Sequence, residues 1–118
     1  MPKSRRQKRR IAAEIRAQLV DAFPACFKGE GEDKPPLKIG IDADILERLP
    51  VAGWKLTITL GDYTWGPTYQ RNLVEGADRI DLDGNPAGKV TAEQAERAAA
   101  RMRKFENWNS ASAPPAAA

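Results

Sequence analysis

The sequence predicts a mostly α-helical single domain carrying one small β-hairpin. Three observations point there. Apolar residues recur every four positions at Ile11, Ile15, Leu19 and Phe23, the spacing of one helical face. Thr91-Ala92-Glu93-Gln94 is a capping box ahead of an alanine-rich run, and such a box opens a helix. Between these, Asp78–Leu82 and Ala87–Val90 bracket Asp83-Gly84-Asn85-Pro86. That is a hairpin signal in which Gly84 or Asn85 can take positive φ. A chain of 118 residues supports one domain with a modest core.

Residues 1–10 form a basic N-terminal arm. They hold six of the 19 cations, namely Lys3, Arg5, Arg6, Lys8, Arg9 and Arg10. The thirteen cations that remain face sixteen acids, so the net charge of +3 hides a domain that is itself at −3. So dense a cluster reads as a contact for phosphates or another anionic surface. A solubilising helix start or a tail is the plainer reading.

The first helix runs from about Ser4 or Gln7 to Ala22, and Pro24 ends it. Arg5, Arg9 and Arg16 fall off its apolar stripe. Gly29 to Pro36 is a polar loop. Asp42 can cap a short helix through Arg48 that buries Ile45 and Leu49. The stretch from Trp54 to Leu60 is ambiguous. Leu56, Ile58 and Leu60 alternate as in a strand, and β-branched Thr57, Ile58 and Thr59 favour one slightly. Leu56, Leu60 and Tyr63 equally fit one helical face. Pro67 can open a further helix, through about Leu73. The last helix reaches about Phe105 or Trp108, burying Ala95, Ala98, Ala99, Met102 and Phe105. Residues 108–118, rich in Ala, Ser and Pro, read as a disordered tail. The domain proper is thus 11–107.

Several chemistries are excluded. No run of apolar residues is long enough to span a membrane. Nor does an apolar segment follow the N-terminal charges as in a secretory signal. A single cysteine forbids an internal disulfide and suits a reducing cytoplasm. There is no histidine, which removes the usual general base and His metal sites. Cys26, set between Phe23 and Phe27, reads as a core residue rather than a nucleophile. Gly29-Glu30-Gly31 is too acidic to cradle phosphate. Asp81-Leu82-Asp83-Gly84-Asn85 hints at a calcium loop, but its glycine is at the fourth position and position twelve is Ala92. The expectation is a protein that is not an enzyme and uses no metal, cofactor or small-molecule substrate.

Binding residues are more promising. Lys38 stands on a stiff mount, Pro35-Pro36-Leu37 before it and Ile39-Gly40-Ile41 after. If Leu37, Ile39 and Ile41 pack inward, Lys38 projects outward to a phosphate; otherwise it is an ordinary surface lysine. Arg79 sits among Asp78, Asp81 and Asp83, either ion-paired locally or available to a ligand. Tyr63, Trp65 and Tyr69 cluster around Thr64 and Gly66-Pro67. Such aromatics stack on unpaired bases or fill a core, and the core is favoured for Tyr63 and Trp65. Tyr69, near a helix start whose amides can receive a phosphate, is the best aromatic candidate. Lys55 and Arg71 are generic cations.

Four motifs then stand in order: Phe23-Pro24-Ala25-Cys26-Phe27; Pro36-Leu37-Lys38-Ile39-Gly40-Ile41; Tyr63-Thr64; and Gly76-Ala77-Asp78-Arg79-Ile80-Asp81-Leu82-Asp83-Gly84-Asn85-Pro86-Ala87-Gly88. Together, across roughly residues 10–105, they closely resemble the ProQ/FinO family of bacterial RNA-binding proteins. The resemblance implies a FinO-like domain of about five helices and a hairpin, with the ambiguous Trp54–Tyr63 segment helical. It implies RNA chaperoning without ATP: binding of small RNAs and messenger 3′ ends, particularly terminator hairpins with a 3′ uridine tail, their protection, and promotion of RNA–RNA pairing. By the family's pattern Lys38, Tyr69 and Arg79 line the RNA face. Tyr63, Thr64 and Trp65 match the segment that meets the terminal nucleotides. Family arginines before Tyr-Thr are replaced here by Thr57 and Gly61, so the N-terminal cations Arg5, Arg6, Arg9 and Arg10 are expected to contact the stem instead. The expected form is a cytoplasmic monomer whose partner is structured RNA. The alternatives are a DNA-binding or nucleoid-associated domain and a ribosome-associated interaction module.

Overall fold

The computed structural model describes residues 4–29 and 31–112, with side chains through residue 106. Helix α1, Arg5–Ala22, starts at Ser4 through a reciprocal capping box. The Ser4 hydroxyl accepts from the Gln7 amide at 3.1 Å, and the Gln7 side chain accepts from the Ser4 amide at 3.3 Å. Arg5 to Arg10 therefore form the first two turns of a helix. No acid stands in that first turn. Ala12, Ile15 and Leu19 are buried along one face, the expected stripe.

Helix α2 spans Ile41–Arg48. Its cap differs from expectation: Gly40, at φ 85°, is the N-cap, and Asp42 lies in the first turn. There Asp42 and Asp44 sit favourably at the positive end of the helix dipole. Helix α3, Gly53–Trp65, settles the ambiguous segment as helical. Leu56, Thr59 and Tyr63 are buried on one face, and α3 makes its main packing contact with α1. The β-branched residues that suggested a strand are accommodated by back-bonding. The hydroxyls of Thr57, Thr59 and Thr64 donate to the carbonyls of Gly53, Lys55 and Leu60, one turn earlier, an option open to threonine in a helix.

Helix α4, Pro67–Gln70, begins with Pro67 in its first turn as anticipated but ends short of Leu73. Strands β1, Asp78–Ile80, and β2, Pro86–Lys89, pair antiparallel, with Asp78 opposite Lys89 and Ile80 opposite Pro86 across an irregular step. Gly84 carries the positive φ of the turn, 82°. Its Cα lies against Ala25, where an added Cβ would meet Ala25 at 3.1 Å. The Asp81 carboxylate accepts from the amides of Asp83 and Asn85. Helix α5, Ala92–Ser112, opens with the Thr91/Gln94 box. Among its described side chains Ala98 is buried, Ala95, Met102 and Phe105 are half-buried, and Ala99, expected inside, is exposed. The tail expected from residue 108 lies partly on this helix, and 113–118 lie outside the described residues.

The core joins Leu19, Phe23, Cys26 and Phe27 to Ile45, Leu56, Tyr63, Leu82 and Val90. Among the described residues, no helix is long and apolar enough to cross a membrane.

Candidate nucleic-acid interface

Two sites emerge. The first is a short extended edge at Leu37-Lys38. Leu37 forms a parallel bridge with Ile80, in which Ile80 N–H donates to Pro36 O and Lys38 N–H donates to Ile80 O. Two residues singled out by sequence converge on the Leu37 peptide groups. The Tyr69 hydroxyl accepts from the Leu37 amide at 3.1 Å, and Arg79 donates to the Leu37 carbonyl at 2.8 Å. Arg79 also donates to Gln94 Oε1 at 2.9 Å, so the α5 capping box is tied to this edge. The structure thus brings Lys38, Tyr69 and Arg79 together.

It does not present all three to solvent. Tyr69 is 5% exposed and Arg79 8%. The acids around Arg79 are engaged elsewhere, Asp78 with Lys89 and Asp83 with Arg48. Lys38 alone is half-exposed, and it pairs with Asp44 at 2.7 Å. That hydrogen bond, reinforced by the Asp44 charge, raises the Lys38 pKa. Leu37 and Ile41 are buried, but Ile39 is 68% exposed. The mount is therefore fixed by the bridge, Tyr69 and Arg79 rather than by three inward apolar side chains.

The second site is a groove between the start of α1 and the end of α3. Arg5, Lys8 and Arg9 form one wall; Thr57, Gly61, Asp62 and Trp65 form the other. Arg5 and Lys8 continue the helical stripe of Ala12, Ile15 and Leu19 by the same three- and four-residue steps. Where the core ends, cations take over the face turned toward α3. Thr57 and Gly61 add no charge and, at Gly61, no bulk. Among the described residues the one acid there, Asp62, is bound by Arg16 at 2.7 Å. Arg6 and Arg10 are exposed but lie off this stripe.

The groove continues past Arg5 and Trp65 to Arg101, Lys104 and Phe105 of α5. Trp65 is 68% exposed rather than in the core, and it meets Phe105 edge to face with centroids 4.9 Å apart. The sequence reading counted Lys8 in the basic arm but missed Arg101 and Lys104. The i, i+3, i+4 spacing of Arg101, Lys104 and Phe105 was their available signal. Along α5, Gln94, Ala98, Arg101 and Phe105 share a face. From Gln94, held by Arg79, to Phe105, against Trp65, the helix rises roughly 16 Å. Both sites hang on that face.

The other candidates are structural. Tyr63 is 1% exposed and its hydroxyl accepts from the Lys28 amide at 3.0 Å. Its ring packs on Phe27 and lies near the Lys34 ammonium, 5.4 Å from the centroid. Burial pushes its pKa up to about 12. Burial first, then the Asp81 carboxylate, pushes the Cys26 thiol up to about 12, so it is an inert core group. Thr64 is half-buried, and its carbonyl accepts from Gln70 at 2.6 Å. Among the described residues, no group of three or more His, Cys, Asp or Glu is placed to hold a metal ion.

Comparison with known proteins fits this architecture. The model of the ProQ/FinO family matches residues 9–113. The chain belongs to the ProQ/FinO family. Relatives include the RNA chaperone ProQ of Aeromonas salmonicida, 43% identical over 102 residues covering 83% of this chain and 48% of that protein. ProQ of Shewanella pealeana is 42% identical over 97 residues, 79% of this chain and 45% of that protein. The chain thus spans about half the length of the curated relatives it matches. A ProQ homolog from Legionella pneumophila, solved by NMR, is 29% identical with a TM-score of 0.66 over 90% of this chain and 88% of that one. The crystal structure of a FinO-like RNA chaperone from Neisseria meningitidis has a TM-score of 0.64 at 24% identity, over 91% and 86% of the two chains. It shares the ProQ/FinO fold.

Proposed function

We propose that this chain is an RNA-binding domain of the chaperone type and performs no catalysis. It holds structured RNAs at their 3′ ends, particularly terminator hairpins with a uridine tail, and promotes their pairing with other RNAs. The observation that carries this reading is the groove wall of Arg5, Lys8 and Arg9 facing uncharged Thr57 and Gly61. Where the family pattern would put arginines on α3, this chain leaves room and supplies the cations from α1. A-form RNA offers side chains its backbone and minor groove, so such a wall suits stem recognition by shape and charge. Lys38 is the phosphate contact of the other site, exchanging Asp44 for the RNA. Tyr69 and Arg79 act there by positioning the Leu37-Lys38 backbone. The ProQ relatives, named RNA chaperones, support the reading.

The test is binding of a terminator hairpin whose uridine tail ends in a hydroxyl or in a phosphate, with a duplex DNA of equal length as control. Tight binding to the hydroxyl form that collapses with the 3′-phosphate is expected. Equal affinity for both RNAs and the DNA would reduce the protein to a basic surface and reject 3′-end recognition.

A further inference from the structure

Trp65 combines features that the core does not explain. It is the largest type of apolar side chain, yet 68% of it faces solvent. An exposed indole in a cleft signals a contact surface. It is held rather than free, since Phe105 of α5 braces it at 4.9 Å and 85°. Around the pair, Arg5, Arg101 and Lys104 line an open cavity of about 570 Å³. Lys8 and Arg9 lie next along the same groove. Arg101 is itself oriented, donating to Gln70 Oε1 at 3.2 Å. Among the described residues, no acid lines this part of the groove.

We propose that Trp65 and Phe105 form a stacking platform for an unpaired nucleotide of the bound RNA, separate from the Leu37-Lys38 edge. The indole takes the base by its face, and Arg5, Arg101 and Lys104 take the flanking phosphates. An aromatic platform rimmed by cations is the chemistry of single-strand recognition: the ring tolerates any base, and the cations track the backbone. The roughly 16 Å along α5 between the two sites means that one RNA engages both only if it carries an unpaired segment beside its stem. The platform rests on the RNA-binding reading above and deepens it.

The test uses the full chain with Trp54→Phe and Trp108→Phe, leaving Trp65 as the fluorophore. Probes are a short unstructured RNA and a blunt RNA duplex. Emission should be quenched by the single strand and little changed by the duplex. Trp65→Ala should weaken single-strand binding about tenfold, as loss of one stacked base does, with a much smaller loss on the duplex and the salt slope unchanged. Trp65→Phe should recover most of the loss. An unchanged single-strand affinity in Trp65→Ala, or an equal loss on the duplex, would overturn the platform. If the hairpin still binds its 3′ end in that case, the platform alone falls. If the parent chain binds no RNA at all, the functional reading falls with it. Thermal unfolding of Trp65→Ala should match the parent, because the residue is exposed.

Discussion

Arg79 donates to the carbonyl of Leu37 at 2.8 Å, and Tyr69 accepts from the amide of the same residue at 3.1 Å. Both backbone polar groups of one residue, the one that precedes half-exposed Lys38, are thereby held by side chains from β1 and α4. Two residues that sequence patterns nominate as ligand contacts are, in the folded chain, the clamp on the residue proposed to make the contact.

Clamp and contact therefore separate under mutation. Arg79→Ala and Tyr69→Phe each strand a buried backbone group, a loss of about 1–3 kcal/mol, read as a lower urea midpoint. Arg79→Lys should rescue little, since an ammonium lacks the fork that reaches Leu37 and Gln94 together. Lys38→Ala should leave the midpoint within about 0.5 kcal/mol, as exposed ion pairs contribute little, while weakening RNA binding. A Lys38→Ala chain that binds hairpin RNA like the parent would contradict this division.

Charge placement is testable by salt. Replacing Arg5, Lys8 and Arg9 together by Gln should lower the slope of log affinity against log salt by about 2 units, at roughly 0.7–0.9 per phosphate contact. Replacing Arg6 and Arg10, which lie off the groove stripe, should change it by less than 1. Equal effects would mean that the groove geometry is irrelevant.

Alkaline pH should destabilise the fold from a defined point. Cys26 and Tyr63 both titrate higher when folded, moving from 9.0 and 10.0 to about 12. A raised folded pKa stabilises below the unfolded value and is lost as pH climbs through the folded one. Stability should thus be flat below about pH 9 and fall from there toward pH 12. Cys26→Ala, though less stable overall, should hold flat to near pH 10, where Tyr63 takes over. Urea midpoints across this range, under reducing conditions, check both points.

Gly84 and Gly31 provide a matched pair, both with φ of 82°. An alanine at either position pays the left-handed strain of about 1–2 kcal/mol. At Gly84 it also meets Ala25 at 3.1 Å, whereas Gly31 opens on empty space. Gly84→Ala should cost more than Gly31→Ala in thermal unfolding; the reverse order would show that the turn does not dock on Ala25 in solution.

Much of the fold was legible because local rules and packing agree: the α1 stripe, the Thr91/Gln94 box and the Gly84 turn all appear as read. The α3 segment was not legible from periodicity. Its threonines satisfy themselves against the preceding turn, and packing on α1 overrides their strand preference. The Asp42 cap failed because Gly40 could supply the left-handed turn directly. Lys38, Tyr69 and Arg79, grouped in the sequence reading, do lie together, but which of them faces solvent depends on burial, which is set by neighbours distant in sequence. Trp65 was expected inside and lies outside because Gly66 and Pro67 end α3 beside it, at the edge of the packed face. Arg101 and Lys104 join the groove only through tertiary contact with Gln70, Arg5 and Trp65.

Helix α1 has one further implication. Five like charges crowd its first two turns with no acid in the first turn, at the end where the backbone dipole is already positive. That stretch works against its own folding, and the Ser4 box offsets only part of the repulsion. A polyanion laid along it would remove the conflict, so local order and ligand occupancy are thermodynamically linked. The first two turns should exchange their amide hydrogens faster than the rest of α1 in dilute buffer and slow when the counter-charge arrives. Electrostatic frustration of this kind is the strain that a bound polyanion would relieve.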